Sequence, residues 1–245
     1  KNFFEKTSEN GQLSHAYIFS GQEMIGKRMF ALELANLINQ TDPDPVFQPD
    51  CLFVDSGVSE SGQTITIEEI RRVKNFVSLS PYVGPYKFVI INDAHLMTTE
   101  AQNALLKVLE EPSPSSILIL VTANPNSLLP TIISRCQEIE FPPHPKRIIE
   151  NVLKNSGLSK SEAEFLTEFS NGRVGLVSTI IKERSFGEIK DSVEELVGLV
   201  KADINERLAV AQKLTDEKNK PDLMKKVLYW TLYMRMRINE PRAHK

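Results

Sequence analysis

Residues 88–91 and 117–121 of this chain are apolar at every position. A strand with one face in water alternates apolar and polar residues, so an unbroken apolar run asks for cover on both faces. A parallel sheet between two layers of helix supplies that cover. Residues 16–19, 52–54 and 137–141 read as three more strands. Between them, 27–39 carries Phe30, Leu34, Leu37 and Ile38 at helical spacing. Residues 67–77 place Ile67, Ile70, Val73, Phe76 and Val77 on one helix face. Residues 98–110 read as a helix capped by Thr98 and stopped before Pro112. Strands separated by helices pair in parallel, so an α/β three-layer sandwich with a parallel sheet is expected.

Pro142-Pro143-His144-Pro145 interrupts this pattern, because dense prolines stop both helix and ladder. Beyond it only helical periodicity remains: 146–155, 159–170 and 174–183, punctuated by Gly157 and Asn171-Gly172. The expected division is a nucleotide-fold domain over 1–143, a small helical lid over 144–184, and the truncated start of a third helical segment over 185–245. The first residue is Lys1, not Met, which reads as a piece of a longer protein.

Composition narrows the function classes. A net charge of −3 over 245 residues gives no basic excess for autonomous DNA binding. No window approaches the roughly 18 apolar residues of a membrane span, so no membrane partner is expected. Two cysteines, Cys51 and Cys136, point to a cytoplasmic home and cannot make a four-cysteine zinc site.

Three motifs carry chemistry. Gly21, Gly26 and Lys27 stand between the first strand and the first helix at phosphate-loop spacing. Position 28 of such a loop needs a Ser or Thr hydroxyl for magnesium, and here it is Arg28. The plain alternative is a glycine turn. The third strand ends in Asn92-Asp93, where metal-dependent ATPases place two acids, one for the ion's shell and one for the attacking water. The alternative there is a strand end whose Asp caps a turn. The fourth strand runs out at Thr122, where a polar side chain can sense a γ-phosphate, and Ser134-Arg135-Cys136 precedes the fifth. A planar, permanently charged guanidinium suits a transferring phosphoryl group. A lone Arg at a strand start is also a common surface ion-pair partner.

Ser14-His15-Ala16, the run Asn103-Ala104-Leu105-Leu106-Lys107 through Leu109-Glu110-Glu111-Pro112, and Pro130-Thr131-Ile132-Ile133-Ser134-Arg135-Cys136 together resemble the bacterial clamp-loader family. That family comprises the γ/τ and δ′ subunits of DNA polymerase III and their AAA+ relatives. The resemblance implies an AAA+ P-loop-type sandwich with a lid and a helical collar. It implies that Arg135 is a finger acting in trans on a neighbour's nucleotide, and that Thr122 lies in the first sensor region. Arg28, the Asn92-Asp93 pair and Gly175 near the second sensor position all depart from γ-type members and point to the δ′ type. A δ′-like module implies no hydrolysis of its own, no required cofactor and no zinc. It implies γ/τ and δ partners, with the sliding clamp and primer-template DNA reached through the polymerase III complex. The alternatives are a γ/τ-type chain that binds and hydrolyses ATP, and a purely structural scaffold.

Overall fold

The computed structural model describes residues 4, 7, 12–41, 48–59, 62–215 and 220–239. Five parallel strands form one sheet: β1 (Ala16–Gly21), β2 (Cys51–Val54), β5 (Lys87–Ile91), β6 (Ser116–Thr122) and β7 (Gln137–Phe141), in the order β2-β5-β6-β1-β7. A short antiparallel hairpin, β3 (Gly57–Ser59) with β4 (Gly62–Thr64), stands apart from it. The hairpin has no signal in the sequence, since three-residue strands carry no periodicity to read.

The apolar runs are divided between two cores. Ala16, Ile18, Val89, Ile91, Leu118 and Leu120 point to one face, with α2 (Ile67–Val77) and α3 (Thr99–Glu110) over them. Tyr17, Phe19, Phe88, Ile90, Ile117 and Ile119 point to the other, beneath α1 (Lys27–Asn39). Successive side chains leave a strand on opposite faces, so an unbroken run feeds both layers. Thr98 caps α3 by accepting from the Ala101 N–H at 3.2 Å. Thr66 and Glu69 close a capping box on α2. A one-turn helix, α4 (Pro130–Ile133), leads into β7.

The chain separates into two compact units, Lys1–Pro142 and Pro143–Lys245. The second contains α5 (Lys146–Leu153), α6 (Lys160–Ser170), α7 (Val174–Glu183), α8 (Phe186–Lys201), α9 (Ile204–Thr215) and α10 (Lys220–Asn239). Leu166, Phe169, Val177, Ile189, Tyr229 and Leu232 are buried in it. No helix among the described residues is long and apolar enough to cross a membrane.

Candidate functional site

Parallel strands bring their carboxyl ends to one edge of the sheet, where α/β folds hold ligands. Gly21, Asn92 and Thr122 lie at or just past the ends of β1, β5 and β6, three neighbouring strands. The loop after β1 turns through Gly21 at φ 135° and Gly26 at φ 99°, and α1 begins at Lys27. Gly21 is confined further, because a Cβ there would stand 2.4 Å from the Phe141 carbonyl oxygen. The fold therefore gathers Gly21, Gly26, Lys27, Arg28, Asn92, Asp93 and Thr122 at one edge.

Each side chain in this group is already engaged. Lys27 is 6% exposed, and its ammonium donates to the Gly21 and Gln22 carbonyl oxygens at 2.7 and 2.6 Å. Burial lowers its pKa, against the pull of Asp93 and Glu23. Arg28 reaches out to Asp55 at 3.4 Å and lies over the Phe53 ring, 4.3 Å from its centroid. The Asn92 amide donates to Asp55 and to Asp93, both at 2.9 Å. Burial raises the Asp93 pKa, with Asp55 and Glu23 adding to the rise and His95 and Lys27 opposing it. Thr122 is fully buried; its hydroxyl sits 3.2 Å from His95 Nδ1 and accepts the Asn124 N–H at 3.0 Å.

These residues do not fit a magnesium ion. Position 28 presents a cation that is itself ion-paired, and position 92 presents an amide that donates to two carboxylates. Among the described residues no group of three His, Cys, Asp or Glu side chains is placed to hold a metal. Burial pushes the Cys51 thiol up to about 11.

Arg135 is not part of this edge. It comes two residues before β7, whose register sets Gln137 beside Tyr17 and Phe141 beside Gly21. Arg135 thus lies at the amino end of the sheet, a strand length, or roughly 16–20 Å, from the glycine loop after β1. Its guanidinium pairs with Glu110 at 3.0 Å and donates to the Thr131 carbonyl oxygen at 2.9 Å, with 37% of the side chain exposed. Glu110 ends α3, whose 12 residues carry it about 18 Å from the start of that helix. Cys136 packs against the core, and burial pushes its thiol up to about 12, as suits a packing residue.

The sequence gives Asp55 and His95 no role, and it places Glu110 in the run before Pro112 without pairing it with Arg135. Asp55 had a readable signal, an acid one residue past a strand end; Glu110 had none, since its partner comes from a distant stretch. Gln102 was missed too. Its buried amide donates to the Met97 and Ser127 carbonyl oxygens and accepts the Leu129 N–H, which fixes the approach to α4.

A family model described as DNA polymerase III, delta subunit, matches residues 1–145. DNA polymerase III subunit delta' of Bacillus subtilis is 33% identical over 199 residues, covering 77% of this chain and 60% of that protein. The corresponding delta' subunit of Pseudomonas aeruginosa is 32% identical over 146 residues, 54% of this chain and 44% of that protein. DNA polymerase III subunit tau of Bacillus subtilis is 36% identical over 151 residues, 56% of this chain and 27% of that protein. The chain thus spans 60% or less of the length of these curated relatives. A DNA polymerase III gamma subunit-related protein of Thermotoga maritima superposes with a TM-score of 0.60 at 24% identity, covering 95% of this chain and 77% of that one. The RuvB Holliday junction branch migration motor of Thermotoga maritima superposes with a TM-score of 0.54 at 15% identity, covering 88% and 67%. These likenesses show the fold, a three-layer α/β sandwich of P-loop type.

Proposed function

The chain belongs to the DNA polymerase III delta-subunit family, and on that premise we propose that it is a δ′-like clamp-loader subunit that does not hydrolyse ATP. It stands beside an ATP-binding γ/τ-type subunit and presents Arg135 to that subunit's γ-phosphate. With a δ-type subunit, the assembly acts on the sliding clamp and primer-template DNA in the cytoplasm.

The placement of Arg135 is the observation that carries this reading. It stands at the sheet end opposite its own phosphate loop, so a phosphate contact by this side chain has to be made to another subunit. A half-exposed bridge to Glu110 is worth roughly 0–1 kcal/mol, so exchanging it for a phosphate is cheap. The closed contacts of Lys27, Arg28 and Asn92 support the second part, that this chain's own loop does not turn over ATP.

The test is a loader reconstituted from its separate subunits with Arg135→Ala in this one. DNA-stimulated ATPase is expected to fall by about tenfold or more; a finger supplies roughly 10³–10⁵ in the best-studied cases. An unchanged rate would remove the finger role. A purely structural reading draws on the Glu110 pair, and it predicts a loss of stability with no loss of turnover.

A further inference from the structure

We propose that the Arg28 guanidinium is a built-in cation standing in for a metal ion at the phosphate-loop edge, where it shares the Asp55 carboxylate with Asn92. The inference rests on the non-hydrolysing reading and supplies a physical reason for it.

In a metal-dependent loop, positions 28 and 92 face the ion from two sides. Here both end on one carboxylate: Arg28 reaches Asp55 Oδ2 at 3.4 Å, and Asn92 Nδ2 donates to Asp55 Oδ1 at 2.9 Å. Asp55 thereby joins the start of α1 to the end of β5 from the end of β2. The choice of amide at 92 follows from charge. Asn92 donates to Asp93 as well as to Asp55. An aspartate at 92 could only accept, and it would add another negative charge beside Asp55, Asp93 and Glu23. Two cations, Lys27 and Arg28, stand against three anions, Asp55, Asp93 and Glu23. A guanidinium is tethered to the chain, so it cannot leave the site as an exchangeable ion can. The Phe53 face beneath Arg28 holds its direction. The consequence is a loop at which magnesium changes nothing.

The full chain tests this by calorimetric titration of ATP with and without Mg²⁺, and by thermal melts. For the wild type, ATP affinity, or its absence, is expected to be the same with and without the ion. Arg28→Thr with Asn92→Asp restores a hydroxyl and an acid, and magnesium is expected to tighten ATP binding by about tenfold or more. Arg28→Thr and Asp55→Asn are each expected to lower Tm by about 1–3 °C, with the pair together no worse than the larger single loss. A folded double variant indifferent to magnesium overturns the proposal, as do Tm losses that simply add. Should the double variant fail to fold, the Arg28 and Asp55 cycle decides alone. Magnesium-dependent binding with turnover by the wild type strikes the non-hydrolysing reading itself. An indifferent wild type with an indifferent variant strikes this inference only.

Discussion

Asp93 sits under two unfavourable conditions at once. Its backbone is left-handed, φ 49°, a region that Asn tolerates better than most residues. Burial raises its carboxyl pKa, with Asp55 and Glu23 pushing the same way. A carboxyl whose pKa rises on folding costs stability once it ionises, and that cost vanishes as pH falls through the raised value. Asp93→Asn is therefore expected to stabilise the chain at pH 7 by about 0.5–1 kcal/mol, with the gain fading in acid. Urea unfolding at pH 7 and pH 4 checks both halves; a loss at pH 7 would count against the account. Glu110→Gln makes the complementary case. Glu110 and Arg135 are 50% and 37% exposed, so separating them is expected to change stability by about 1 kcal/mol or less, read from the same unfolding curves.

At the scale of elements, the turn after α2 is held by a device the sequence does not advertise. Asp50, just before β2, accepts the backbone N–H groups of Tyr82, Val83 and Gly84 and pairs with Lys87 at 3.3 Å. Both charged side chains are about 95% buried. Burial alone would raise the Asp50 pKa, but the three N–H donors and Lys87 outweigh it and hold it below its ordinary value. A depressed carboxyl contributes stability above its unfolded pKa and loses it as pH falls through the folded value, here below about 4. Asp50→Ala strands a buried ammonium and three donors, so a loss of about 3–5 kcal/mol is expected in urea unfolding at pH 7. The variant is also expected to lose the wild type's weakening below pH 4 that Asp50 contributes. Gly21 ties β1 to β7 in a different way. Any side chain there meets both a positive φ and the Phe141 carbonyl, so Gly21→Ala is expected to cost roughly 2 kcal/mol or more.

For the molecule as a whole, the two compact units raise the question of independent folding. The first, Lys1–Pro142, has its own pair of cores on either side of one sheet. A fragment of residues 1–142 is expected to keep its circular dichroism and to unfold in one cooperative transition. A gradual loss of signal with urea would show that it needs the rest of the chain. The α/β sandwich was legible because its evidence is local: apolar runs at 88–91 and 117–121, helical spacing at 67–77, Thr98 as a cap and Pro112 as a stop. The glycine positions and Lys27 of the loop, and an arginine at 135, could be read for the same reason. Period, cap and φ requirement are properties of neighbours in the chain. Where Arg135 stands relative to its own loop, and that Asp55 meets both Arg28 and Asn92, depended on strand order and register. Those contacts join residues far apart in sequence, and only the packed sheet sets the distance between them.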